Sequence, residues 1–141
     1  MGKRMVWAIV ALFVLWTLLD MLVHGVLLRP IYEASAGLWR PPAEMNMSLS
    51  HLVTLVYTAC FVLIYGLLIE KKSVARAVQY GLLFGLAGGV GMGFGTYSYM
   101  PIPFDLACYW FAGTIVECGI AGGVLGAIVK TPAVKAEPAK A

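Results

Sequence analysis

The sequence predicts an all-α integral membrane protein, a four-helix bundle with both termini in the cytoplasm, on three observations. Hydrophobic residues make up 61% of the 141 and charged residues only 12%, against about 45–50% and about 25% in soluble domains. Four stretches each offer the ~20 apolar residues that a helix needs to cross a hydrocarbon core of about 30 Å. Eight of the ten Lys and Arg fall on one side of those stretches. A 15.2 kDa globule has too little interior for so much apolar surface, and a mean hydropathy of +0.86 agrees. The composition excludes a disordered chain, a disulfide scaffold and a nucleic-acid-binding domain.

The spans run over 5–28, 49–69, 77–97 and 106–129 within a membrane domain of 1–130. Backbone polar groups inside lipid must be satisfied within the segment, so each is read as helix. An outer loop (29–48), a tight turn (70–76) and a Pro loop (98–105) connect them. Residues 131–141 alternate Ala, Pro, Val and Lys and read as a disordered cytoplasmic tail. Lys3, Arg4, Lys71, Lys72, Arg76, Lys130, Lys135 and Lys140 mark the cytoplasmic side, with only Arg29 and Arg40 opposite. Lys3 and Arg4 resemble the start of a signal peptide. No small-x-small cleavage site follows them, so the first span is read as retained. Val6 stands where N-myristoylation needs Ser or Thr.

Helix contact is written in the glycines. Gly81, Gly85, Gly89 and Gly93 repeat every four residues on the third span, and Cys118, Gly122 and Gly126 do so on the fourth. In lipid, helices associate through close contact of such small faces. The two spans are expected to form a tight hairpin around Pro101 and Pro103; room for a lipid, quinone or pigment, or a dimer seam, is the alternative, and a homo-oligomer or larger membrane complex is expected. Gly91, Gly93 and Gly95 spell G-x-G-x-G but follow no strand, so a dinucleotide loop fails on context. Trp7, and at the other edge Trp39, Tyr97, Tyr99, Tyr109 and Trp110, read as interfacial belts. Cys60, Cys108 and Cys118 read as small apolar packing groups.

Asp20, His24 and Glu117 are ionisable groups in membrane helices, which makes them functional candidates by default. Thr17, Asp20, Met21 and His24 share one helical face; His51, Thr54, Thr58 and Tyr65 share another; Trp110, Thr114 and Glu117 share a third. The three stripes are expected to face one another. Glu117, eleven residues past Leu106, lies about 16 Å deep at ~1.5 Å per residue, near the midplane. It is expected to hydrogen-bond Tyr57, Thr58 or Tyr65 in a structural network, or to serve as the carboxyl of a proton-coupled carrier. His24 and His51 both fall at the outer interface, where they are expected to converge with Asp20. Asp20 would then orient the His24 imidazole, as carboxylates do for metal-bound histidines. Met45 and Met47 add soft thioethers, and with His24 and His51 they would suit a copper-like ion. Haem between the two histidines is the other ligand reading, but no ligand spacing here is specific and no cofactor is predicted. In the structural alternative, Asp20 and His24 pair with each other or with Arg29 and Arg40. No nucleophile–base pair is present, so catalysis is not expected.

Asp20-x-x-x-His24-Gly25, Leu27, Tyr32, Trp39-Arg40, Glu44-Met45, Tyr99-x-Pro101-Ile102-Pro103, Trp110-Phe111 and Glu117 together resemble a group of small four-span bacterial membrane proteins of unknown function. The likeness runs along the chain to about Lys130. It implies a multi-pass protein of the bacterial inner membrane and brings no activity or ligand with it. Two roles arise from the residues: a non-catalytic accessory subunit, or a small proton-coupled transporter or ion-conducting protein using Asp20, His24 and Glu117. Metal handling at the periplasmic face is the third.

Overall fold

The computed structural model describes residues 2–130; the expected tail lies outside them. All regular structure among the described residues is helical. α1 covers Gly2–Leu22 and runs on through a π-helical turn, Val23–Leu27; α2 is a short helix, Arg29–Ala34. α3 covers Met47–Leu68, α4 covers Val74–Val90 with a π-helical turn at Gly91–Gly95, and α5 covers Phe104–Ile128. Four of these are long and apolar enough to cross a membrane: Gly2–Leu27, Met47–Leu68, Val74–Gly95 and Phe104–Ile128.

Local chemistry sets the ends. The Asn46 side chain accepts the Leu49 N–H at the start of α3, and Ser73 accepts the Arg76 N–H at the start of α4. Pro30 occupies the first turn of α2, where a missing N–H is harmless. Between α3 and α4 the Tyr65 hydroxyl donates to the Ser73 carbonyl at 2.9 Å and accepts the Ser73 N–H at 3.1 Å. One ring therefore holds the turn.

Two kinds of interface join the long helices. α4 and α5 run antiparallel in backbone contact: Gly81 faces the Cys118 carbonyl, Gly85 that of Thr114, Gly89 that of Phe111 and Gly93 that of Ala107. A methyl on Gly85 would stand 2.7 Å from the Thr114 oxygen, and Gly122 meets the Ala77 carbonyl in the same way. The expected glycine hairpin is thus present, and it leaves no room for a lipid or pigment between these helices. α3 and α4 are instead spaced by rings. Phe61 lies 4.7 Å from Tyr80 and 5.1 Å from Phe84, and the Tyr80 hydroxyl donates to the Phe61 carbonyl at 2.8 Å. Trp16 of α1 closes this core edge-on to Tyr57 and Phe61.

A second, smaller core sits at the other end. Leu28, Ile102, Leu106 and Ala107 are buried there, with Ile31, Tyr32, Leu38, Trp39 and Trp110 packed on them. The loop of 29–48 folds back over the helix ends, carrying Tyr32 and Trp39 inward. This corrects the belt reading for two residues. Trp39 and Trp110 are half-buried and 6.1 Å apart, with Tyr32 5.3 Å from Trp39. Tyr97, Tyr99, Tyr109 and, at the opposite end, Trp7 do face outward.

Candidate functional site

Under this aromatic cap lies a cavity of about 320 Å³. Asp20 and His24 line it from α1 and its π-helical turn, Thr54 and Tyr57 from α3, Gly88 and Met92 from α4, and Trp110, Gly113, Thr114 and Glu117 from α5. Trp16, Val23, Val53, Tyr109 and Cys118 complete the wall. Both π-helical turns border it. Such turns widen a helix by one residue and recur at functional sites; one of them presents His24 and the other Met92.

Most polar groups in the wall are satisfied by the protein. Thr54 donates to the Ser50 carbonyl at 3.2 Å and Thr114 to the Trp110 carbonyl at 2.7 Å. The Tyr57 hydroxyl contacts Cys118 Sγ at 3.6 Å. The Trp110 indole N–H donates to the Tyr32 hydroxyl oxygen at 2.8 Å, and that hydroxyl lies 2.6 Å from His24 Nδ1. Tyr32 has no other acceptor among the described residues, so its single proton points at Nδ1. His24 is then a neutral imidazole with its proton on Nε2, a tautomer assigned from the network. Burial pushes the Tyr32 phenol above its ordinary value of 10.0, against the smaller opposite effect of the Trp110 N–H. The hydroxyl therefore keeps its proton throughout the physiological range.

The carboxyls differ from the rest of the wall. Among the described residues neither Asp20 nor Glu117 has a hydrogen-bond partner, yet both face the cavity, within electrostatic range of each other. The expected structural network around Glu117 does not form. Tyr57 turns to Cys118, Thr58 donates to the Thr54 carbonyl, and Tyr65 holds the turn at Ser73. Nor does an arginine reach Asp20. Arg29 pairs with Glu33 at 2.7 Å on the exposed side of α2.

His51 departs from the expected convergence. It is exposed, lies outside the cavity wall, and turns its Nδ1 to the Met47 carbonyl of its own helix at 2.6 Å. Met45 and Met47 are exposed as well. The soft-ligand set of His24, His51, Met45 and Met47 is therefore not assembled around the cavity, and neither is a haem site using both histidines. Among the described residues no three His, Cys, Asp or Glu side chains form a metal-sized group.

Tyr32 is the residue that the helical stripes miss. The signal for it was Pro30 at a helix start, which puts Tyr32, Ser35 and Trp39 on one face of the turns after it. Ser35 indeed accepts the Trp39 indole N–H at 3.0 Å. Comparison with family models, with curated proteins and with solved structures finds no match to this chain.

Proposed function

We propose that the chain is a four-helix bundle of the bacterial inner membrane, with both termini cytoplasmic, that moves a small solute in exchange for protons through Asp20, His24 and Glu117. One observation carries the reading: two carboxyls face a common cavity inside membrane-length helices, with no hydrogen-bond donor among the described residues. A structural carboxyl in such surroundings is expected to be hydrogen-bonded; an unpartnered one is available to a proton or a ligand. Glu117 lies deep and Asp20 nearer the cap, so the pair spans part of the way across. The Trp110–Tyr32–His24 hydrogen bonds lie at the rim of the same cavity. The orientation rests on the eight-to-two split of basic residues, and the inner-membrane location on the resemblance to four-span bacterial proteins.

An accessory-subunit role is the second reading, favoured by the exterior. Only 17–28% of the most apolar window of each long helix is buried, which leaves broad faces for lipid or for partner helices.

The test is a proteoliposome assay with entrapped pH dye and an imposed proton gradient. An organic cation, an amino acid, a sugar and a carboxylate are offered in turn. At least one class should move protons in wild-type vesicles and none should in Glu117→Gln. Wild-type vesicles as silent as protein-free ones for every class overturn the carrier. Co-purification of a stoichiometric membrane partner would then support the subunit.

A further inference from the structure

We infer that the solute taken by the cavity is a small organic monocation, an ammonium or pyridinium carried on an apolar body; this rests on the carrier reading and names its substrate class. Charge comes first. The wall holds two carboxyls and no Lys or Arg. Its one other ionisable nitrogen base, His24, has its Nδ1 lone pair engaged by Tyr32, so no fixed positive charge answers an anion. Moving an anion into such a wall without a compensating charge is strongly unfavourable.

Donors come second. The hydroxyls of Thr54 and Thr114 are turned to backbone carbonyls, and the Trp110 N–H is taken by Tyr32. A sugar or an amide, which needs donors as well as acceptors, finds few of the former. A cation needs none.

Rings and size complete the argument. Trp16, Tyr57 and Trp110 line the same space as the carboxyls, and the outward-facing Tyr109 borders it. Aromatic faces attract organic cations, and more strongly where water is excluded. A bare metal ion would need several ligands drawn to a point, and the described residues form no such group. A cavity of about 320 Å³ lies at the lower end of small-molecule sites. The cation is therefore one that fills space, with its charge near Asp20 or Glu117 and its body against the rings. Proton exchange follows from the same geometry, because the bound cation and the carboxyl proton compensate the same negative charge.

The full chain in detergent, titrated calorimetrically with benzyltrimethylammonium, tests the class. Saturable binding is expected, at least about ten-fold tighter than that of neopentylbenzene, its neutral isostere, or of phenylacetate. Asp20→Asn combined with Glu117→Gln should weaken the cation by a similar factor while leaving neopentylbenzene unchanged. Should that double variant fail to fold, the three-probe comparison on wild type still decides. Equal binding of the neutral isostere, tighter binding of phenylacetate, or no cation binding overturns the inference. The two readings fail separately. Cation binding beside silent vesicles removes the carrier alone. Vesicles that respond to another class, without cation binding, remove the cation alone.

Discussion

Tyr32 Oη lies 2.6 Å from His24 Nδ1, which fastens the short helix of the outer segment to the first span at the rim of the cavity. The same oxygen takes the Trp110 indole N–H from α5, so one hydroxyl ties three elements together. Tyr32→Phe keeps the ring against Trp39 and removes only the oxygen. It leaves Trp110 Nε1 and His24 Nδ1 without that partner, a loss of about 1–3 kcal/mol. We expect a lower melting temperature and faster amide exchange across Arg29–Ala34. Unchanged exchange there would show that the ring packing alone holds the segment.

The pH dependence of that contribution has a definite sign. Burial raises the Tyr32 phenol above 10.0 in the folded protein. Its stabilising effect is therefore fully present below about pH 10, and is lost as the pH rises through the raised folded value. The stability difference between wild type and Tyr32→Phe should be flat from about pH 8 to about pH 10 and shrink above it. Melting curves taken in parallel on the two proteins measure this, since every other group is common to both. A difference that shrinks between about pH 8 and about pH 10 would contradict the assigned proton position.

Backbone contact between α4 and α5 makes its glycines unequal to those elsewhere. Gly81→Ala sets a methyl against the Cys118 carbonyl, and Gly89→Leu sets a Cβ 2.8 Å from the Phe111 oxygen. Each should lose about 1–3 kcal/mol by forcing the helices apart. Denaturation in increasing SDS reads this directly. A Gly89→Leu protein as stable as wild type would mean that the helices separate freely.

A phosphatase reporter active only outside the cytoplasm should be active when inserted in the outer segment near Gly37 and inactive when fused after Lys140. The contacts within the protein group the relevant ends. Met5 meets Gly66, Tyr65 meets Ser73, and Val74 meets Gly126. Lys3, Arg4, Lys71, Lys72, Arg76 and Lys130 therefore share one end of the helices, with Arg29 and Arg40 at the other. The reverse reporter pattern would invert every depth argument.

Periodicity made much of the fold legible in the sequence. Apolar runs of membrane length give the four long helices, and a period of four in glycine gives the α4–α5 contact. The 3.6-residue repeat also puts Asp20 and His24 on one face and Glu117 on another that meets it. Where the period breaks, the reading loses its footing. The π-helical turn at Val23–Leu27 adds a residue and changes the phase of the chain beyond it, and the segment of 29–48 has no repeat to indicate which side chains turn inward. There the one signal for Tyr32 is Pro30, which marks the start of the short helix that carries it. His51 failed differently. It shares a stripe with Thr54 and Thr58, but at the first turn of α3 a ring can bond to the carbonyl of its own helix and stay outside.

Gly113 offers the cleanest separation of cavity from fold. It lines the cavity, and a Cβ built on it meets nothing within 4 Å, unlike the glycines that face α4. Gly113→Ala should be neutral or slightly stabilising, since Ala favours helix over Gly by about 1 kcal/mol. Gly113→Leu adds four carbons at the cavity wall, where a solute would need the volume. We expect it to keep a melting temperature close to that of wild type while weakening benzyltrimethylammonium at least about ten-fold. The two readouts discriminate between outcomes. Loss of both would mean that the cavity is part of the packing. A stable Gly113→Leu that binds the cation as wild type does would place the binding site elsewhere, and Asp20 and Glu117 would lose their assigned role with it.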